Sequence, residues 1–171
     1  MTIPGSGQTA IYLALLALLA GACAGTPPVS RAPTPEEVRA LLAKGPGSNI
    51  AVTSDSSRDS LLADKRLGAP PELVRESLLD AIRKLPRWHV ADHNASVIWA
   101  TRTTRIFRFV DDVYILVEAD GRGTRLRVRS ASRLGEGDLG QNARNIAELF
   151  AALDAWVERH FTAPPPPRAE G

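Results

Sequence analysis

Apolar residues recur at helical spacing in two long segments of the chain. One segment follows Pro70-Pro71-Glu72 and ends at Pro86, which cannot continue a helix. The other follows Asp138, a good capping residue, and its apolar stripe continues for about six turns. The two apolar faces consist of Val74, Leu78, Ala81, Ile82 and Leu85, and of Leu139, Ala143, Ile146, Phe150, Leu153 and Val157. We therefore predict two amphipathic helices.

Between these helices, apolar and polar residues alternate with the period of two that is typical of half-buried strands. The alternating segments are residues 88–90, 97–101, 113–117 and 125–129, and residues 49–59 can add an edge strand. Asp120-Gly121 is a hairpin signal, and Asp92-His93-Asn94 is a turn signal. Strands flanked by helices predict an α+β fold, with an antiparallel sheet of about four to five strands and two helices packed on one face.

Composition divides the chain into four segments. They are a lipoprotein-type signal peptide at residues 1–22, a tether with a short helix at 23–47, a compact α+β domain at 48–160 and a Pro-rich tail at 161–171. The short helix begins at Thr34-Pro35-Glu36-Glu37, which combines a capping residue, a proline in the first turn and a capping-box glutamate. Because this helix has only about ten residues, Val38, Leu41 and Leu42 must dock on a larger surface.

The N-terminal segment predicts export and lipid attachment. The apolar run of residues 11–20 is shorter than the roughly 20 residues of a spanning helix but fits a signal peptide. It leads into Leu19-Ala20-Gly21-Ala22-Cys23, which resembles the bacterial lipobox. The resemblance implies palmitate-type lipidation of Cys23 and a periplasm-facing place in the cell envelope, and Ala24 favours the outer membrane. A cleaved signal peptide with an incidental cysteine, or an uncleaved anchor, is the alternative.

Charge and cysteine content exclude several classes of protein. The 171 residues carry 21 Lys and Arg against 19 Asp and Glu, and a net charge of +2 is too small for sequence-independent nucleic-acid binding. The single cysteine excludes an intrachain disulfide and a zinc site built on several cysteines. His89, Asp92 and His93 lie on a predicted strand and turn and need not converge, so we expect no metal. No motif indicates a cofactor or a nucleophile elbow.

Two segments of the chain carry a recognisable pattern. The pattern consists of Thr104, Phe107, Phe109, Asp111 and Asp112, followed by Arg129, Ser130, Ser132, Arg133, Gly135, Asp138, Gly140 and Asn142. It resembles the bacterial family known as domain of unknown function 1499 over roughly residues 48–155. The resemblance would place a cysteine at Ile50 and a basic residue at Asn145, and this chain has neither. It implies a fold and a compartment, and no established activity.

The residues of this pattern suggest three kinds of site. The candidate residues are Arg105, Asp111, Asp112, Arg127, Arg129, Ser130, Ser132, Arg133, Asp138 and Asn142. The favoured interpretation is a structural ion network, in which the arginines of residues 125–129 face Asp111 and Asp112. Acid–base catalysis by the two aspartates is disfavoured because neighbouring strand residues point to opposite faces of a sheet.

An anion site is the second interpretation of the same residues. Ser130, Ser132 and Arg133 would join backbone N–H groups at the start of the last helix, which is a natural position for an anion. Asp138 weakens this interpretation, because a capping carboxylate occupies the place where the anion would lie.

These features together favour a non-enzymatic, membrane-anchored lipoprotein of the envelope that acts as a docking module. Its expected partners are the membrane, through lipidated Cys23, and another envelope protein, with no nucleic acid. The alternative is a carrier domain for a small molecule or lipid, because apolar pocket residues cannot be distinguished from core residues in a sequence. A hydrolase is the least favoured function, since no catalytic set is recognisable.

Overall fold

A computed structural model describes residues 31–135 and 137–162 of the chain. The helices are α1 (Pro35–Ala43), α2 (Pro71–Lys84) and α3 (Gln141–Val157), and the strands are β1 (Ile50–Val52), β2 (Lys65–Leu67), β3 (Trp88–His93), β4 (Val97–Thr103), β5 (Val110–Asp120) and β6 (Gly123–Ser132). A short 3-10 helix (Ser60–Leu62) precedes β2, and a π-helical turn (Glu158–Thr162) follows α3. The predicted signal peptide, Cys23 and the end of the Pro-rich tail lie outside the described residues.

The strands form one antiparallel sheet in the order β1-β6-β5-β4-β3, and β2 pairs with the other half of β6. This arrangement confirms the α+β class and the antiparallel sheet. The sheet has six strands instead of the four to five expected. The difference comes from β1 and β2, which have three residues each and are too short to show an alternating pattern. β3 also continues to His93, through residues that the sequence assigns to a turn.

Helices α2 and α3 cover one face of the sheet, as predicted. The main core lies between them and β4, β5 and β6, and Leu78, Ile82, Ile146 and Leu153 are fully buried in it. The prediction that Leu139 belongs to the buried stripe of α3 is wrong, because Leu139 precedes the helix and is 95% exposed.

Helix α3 begins later than the sequence predicts, because Asp138 caps the helix from a loop. Its carboxylate accepts hydrogen bonds from the backbone N–H groups of Gly140, at 2.9 Å, and Asn142, at 2.6 Å. Helical residues therefore begin at Gln141, and the first turns of α3 bury Asn142 and Asn145 against the sheet.

Helix α1 packs against the opposite face of the sheet. Its capping box is complete, since the Thr34 side chain accepts from Glu37 N and the Glu37 side chain accepts from Thr34 N. Val38 and Leu42 are buried in a second apolar cluster with Trp99, Tyr114 and Leu116. This helix therefore docks on the sheet itself. Although the sequence analysis assigns it to the tether, it is part of the folded unit.

Candidate functional site

A mostly buried set of polar side chains joins α3 to β5 and β6. This polar network consists of Asp111, Ser130, Ser132, Asn142 and Asn145, and all but the half-buried Ser132 are buried. The Asp111 carboxylate accepts from Ser132 Oγ at 2.7 Å and from Asn145 Nδ2 at 2.8 Å. Asn142 accepts from Ser130 Oγ at 2.6 Å and donates to Ser132 Oγ at 3.1 Å. Each member has a partner, so the network holds the helix in one register on the sheet.

Asp112 lies on the other face of the sheet, as the period of two requires. Its carboxylate accepts two hydrogen bonds from the Arg133 guanidinium, both at 2.8 Å, and one from Trp99 Nε1 at 2.8 Å. The Asp112 carboxylate holds the pKa of Arg133 above its usual range by hydrogen bonding. Since the neighbouring carboxylates of Asp111 and Asp112 are separated by the sheet, they do not form an acid–base pair.

The backbone N–H groups at the start of α3 are taken by Asp138. Asp138 accepts from three of them, two through its carboxylate and one, from Gln141, through its backbone carbonyl at 2.9 Å. Ser130 and Ser132 donate into the polar network, and Arg133 pairs with Asp112 on the other face. The groups considered for an anion site at this helix start therefore have other partners.

A surface groove of about 380 Å³ lies next to the polar network. It opens between the β4–β5 loop, residues 104–109, and the β6–α3 loop, residues 133–140, and Asp111 and Ser132 contribute to its floor. We call it the motif groove. Of the seven large apolar residues that are exposed in the described part of the chain, five lie on these two loops. They are Ile106, Phe107, Phe109, Leu134 and Leu139.

Both loops of the motif groove hold a residue with an unusual backbone. Arg108 has φ 54° and Leu139 has φ 49°, in the left-handed region that favours glycine. Thr104 closes the first loop, because its hydroxyl accepts from Phe109 N at 2.8 Å and its N–H donates to the Phe109 carbonyl at 2.8 Å. The rings of Phe107 and Phe109 stack at 5.6 Å. The loops are thus held in shapes that keep large apolar side chains in solvent, which is typical of functional sites.

Comparison with known proteins agrees with the motif. A family model described as "Protein of unknown function (DUF1499)" matches residues 30–153. The chain belongs to the DUF1499 family. No curated protein matches it. Among solved structures it is similar to TTHA0849 from Thermus thermophilus, with 14% identity, a TM-score of 0.37, and coverage of 63% of this chain and 96% of that chain.

The two segments that resemble the DUF1499 pattern meet at the motif groove. The first supplies the β4–β5 loop and Asp111, and the second supplies Ser130, Ser132, Asp138 and the start of α3. The pattern thus spans the groove and the polar network beneath it. Sequence reasoning missed two residues of this region. Asn145 stands out in the sequence only as a departure from the family pattern, and the spacing of Leu139 assigns it to the core.

Arg125 and Arg127 of β6 do not face the two aspartates of this DUF1499 chain, whereas Arg129 lies on the same face as Asp112, which attracts its charge. The register places Arg125 opposite Glu118 and Arg127 opposite Leu116, whereas Asp111 lies opposite Ser132. Arg125 instead pairs with Asp64, with its Nε at 2.9 Å, and with Asp55 at 2.7 Å. An ion network is present on this face, but its carboxylates come from the segment between β1 and β2.

The three tryptophans and His93 contact other side chains of the fold. Trp88 and Trp99 are buried, and Trp156 is half-buried and donates to Asp80. His93 lies beside Arg75. Within residues 31–135 and 137–162, no cluster of three or more metal-ligating side chains occurs. In the same residues no helix is long and apolar enough to cross a membrane.

Proposed function

We propose that this DUF1499 chain is a lipid-anchored docking module of the bacterial envelope, and that its motif groove binds an acidic, partly apolar segment of another envelope protein. The observation that carries the proposal is the convergence of five exposed apolar side chains on one groove. Ile106 is 79% exposed and Phe107 is 73% exposed, although such residues are normally buried. Contiguous exposed apolar surface of this kind is typical of interaction sites.

Charge supports an acidic partner. Arg105 and Arg144 line the groove, and neither of them pairs with a carboxylate in the described part of the chain. Two guanidinium groups without a described carboxylate partner, beside stacked phenylalanine rings, favour a segment that carries Asp or Glu next to an apolar anchor. Complementary charge of this type raises the association rate and selects the partner.

The floor of the groove supports binding better than catalysis. The Asp111 carboxylate already accepts from Ser132 and Asn145, and the Asp138 carboxylate accepts from two backbone N–H groups. Carboxylates held in this way are poorly placed to exchange protons with a substrate. A rigid polar floor beneath apolar loops instead preorganises the surface for a partner.

The motif groove lies at the opposite end of β4 from the point where the described chain begins. The described chain begins beside the β3–β4 turn, where Ala32 N donates to Asp92 at 2.7 Å and Asn94 donates to the Pro33 carbonyl at 3.1 Å. Strand β4 runs from this turn to the groove, a distance of about 20 Å for its seven residues. Arg31 follows Cys23 by eight positions, which is at most about 28 Å of extended chain. The groove is therefore at the end of the sheet remote from the tether.

Site-specific photocrosslinking in living bacteria tests the docking proposal. A photoreactive residue replaces Leu139 in the full chain, and a matched control replaces Leu61, which is 55% exposed outside the groove. We expect a discrete protein adduct from position 139 alone, with the crosslink mapping to an acidic segment of the partner. The adduct should disappear in an Arg105→Glu, Arg144→Glu variant that unfolds at the same temperature as the parent.

Other outcomes would reject this partner. Adducts to lipid would assign the groove to a membrane surface, and adducts to a second copy would assign it to self-association. Equal adducts from both positions would show no specific site. Lipid attachment is tested separately by incorporation of labelled palmitate, which we expect to be lost in Cys23→Ser together with membrane retention.

A second groove favours the carrier function as the runner-up. It has a volume of about 420 Å³ and is lined mainly by apolar side chains, including Leu67, Pro70, Leu73, Leu153 and Val157. A pocket of this size and lining suits a small apolar molecule. Native mass spectrometry of the chain purified from an envelope would reveal a defined extra mass if the carrier function is correct.

A further inference from the structure

The second groove, between the start of α2 and the end of α3, has a buried floor and an exposed lip. Val74, Ser77 and Leu153 line it and are buried, whereas Pro70 and Leu73 line it and are exposed. Leu73 keeps 39% of its surface in solvent, although leucine is normally buried. The lining from Pro70 to Ser77 follows two turns of α2, which is about 10 Å. The groove is therefore an elongated apolar trough between two helices.

The polar groups in the wall of the second groove already have protein partners. None of the described residues that line it is charged, and Ser77 has the one polar side chain among them. The Ser77 hydroxyl donates to the Leu73 carbonyl at 2.7 Å. The Ala69 carbonyl accepts from Thr124 Oγ1 at 2.6 Å. The lining thus suits a hydrocarbon chain better than a ligand that needs hydrogen bonds from the groove.

The second groove lies at the end of the sheet where the described chain begins. Leu67, which lines the groove, pairs with Thr124 next to the β5–β6 turn. The β3–β4 turn is at the same end, because β4 is antiparallel to β5 and its first residue, Val97, lies opposite Leu116. Ala32 contacts the strand that leads into this turn. The motif groove lies at the far end of β4, so the two grooves are at opposite ends of the sheet.

We propose that the second groove binds one acyl chain of a membrane phospholipid. Its orientation rests on the lipid anchor of the proposed function, because a tether of eight positions from Cys23 to Arg31 spans at most about 28 Å and keeps this end of the sheet near the bilayer. A chain that fills the trough would remove Leu73 and the groove wall from water. It would add a second membrane contact to the acylated cysteine and leave the motif groove, at the other end, for a protein partner.

Photocrosslinking to a phospholipid tests this proposal on the full chain. Membrane vesicles from bacteria that produce it receive a phosphatidylcholine with a photoreactive group at the end of one acyl chain. We expect adducts that map to the α2 and α3 residues of the second groove. Leu73→Glu places a charge at the lip and should lower the adduct yield by about tenfold or more. Glutamate is favourable in the first turn of a helix, so this variant should unfold near the parental temperature.

Two variants separate loss of the apolar lip from a general effect of substitution. Leu73→Met keeps an apolar side chain and should retain the adduct. Leu61→Glu is the matched control, because Leu61 is also an exposed leucine but lines neither groove, and it should crosslink like the parent. Adduct yields that are equal in the parent and in Leu73→Glu would overturn the proposal. Adducts on the loops of the motif groove would overturn both this proposal and the docking function.

A titration without a membrane tests the groove independently of the lipid anchor. Residues 24–171 contain every described helix and strand, and they are titrated with octyl, decyl and dodecyl phosphocholine below their micelle-forming concentrations. Each added methylene should tighten binding by about fourfold, the effect of burying one methylene. Loss of labelled palmitate with this chain-length dependence intact would reject the anchor alone and support the acyl-chain site. An affinity that does not change with chain length would overturn the site.

Discussion

Replacing Asn142 with alanine removes three side-chain hydrogen bonds from the join between α3 and the sheet. Asn142 is fully buried; it accepts from Ser130 Oγ at 2.6 Å and donates to the Asn49 carbonyl at 2.8 Å and to Ser132 Oγ at 3.1 Å. A buried hydrogen bond contributes about 1 kcal/mol net, so their loss costs about 3 kcal/mol. The better helix propensity of alanine returns roughly 0.5 kcal/mol. We therefore expect Asn142→Ala to lower the free energy of unfolding by about 2–3 kcal/mol.

Urea unfolding of residues 24–171 measures this loss. With a slope of about 2 kcal/mol per molar urea, the midpoint should fall by about 1–1.5 M. Gln141→Ala is the control on the same helix, since it removes one hydrogen bond to Asn145 and a long, exposed one from Arg144 at 3.4 Å, and it should cost about 1 kcal/mol. The double variant Ser130→Ala, Asn142→Ala should lose less unfolding free energy than the sum of the two single variants. The reason is that Asn142→Ala alone leaves the Ser130 hydroxyl without its acceptor. Equal effects of Asn142→Ala and Gln141→Ala would refute the structural role of the polar network.

Four other predictions follow from single features. Thr34→Ala should cost about 1 kcal/mol of unfolding free energy by removing the cap of α1, measurable by urea unfolding. Gly123→Ala should be strongly destabilising, because its Cβ would overlap the Leu67 carbonyl oxygen, whereas Gly68→Ala has open space and should unfold near the parental temperature. Leu139→Asn should stabilise the chain by up to about 1 kcal/mol in urea unfolding, because asparagine tolerates a positive φ. The Ala32 N–H lowers the pKa of the Asp92 carboxyl by hydrogen bonding. The ionised Asp92 therefore stabilises the fold above the usual Asp pKa of about 4, and this stabilisation is lost as the pH falls through the lowered pKa. Asp92→Asn should accordingly make the melting temperature depend less on pH in the acid range.

Periodicity predicted those parts of the fold in which local sequence and tertiary burial agree. The apolar face of α2, the capping box of α1 and the opposite orientations of Asp111 and Asp112 all follow from residue spacing and were found in the structure. Strand pairing could not be predicted with the same detail. Register depends on partners distant in sequence, so the pairing of Arg125 with Asp64 was missed, and Arg125 and Arg127 were assigned to the wrong carboxylates.

The candidate site was predicted as a set of residues but not as a shape. The motif named the aspartates, serines and Asn142 of the polar network, because these polar residues interrupt an apolar pattern. The groove above them depends on Leu139, whose spacing fits the α3 stripe although its side chain lies in solvent. A leucine just before a helix cannot be distinguished from a core leucine by period alone. The capping geometry of Asp138 distinguishes these two cases, because it places Leu139 before the first helical residue.

The division of one side of β6 between two short strands has a consequence for association between copies. β1 pairs with residues 129–131, β2 pairs with residues 124–126, and Thr53 exchanges hydrogen bonds with Val128 between them. That border of the sheet therefore ends in two three-residue strands, too short to template intermolecular pairing. On the opposite border, β3 has a bulge between Val90 and Asp92, which interrupts a flat edge. Both borders of the sheet therefore resist edge-to-edge pairing between copies of the chain.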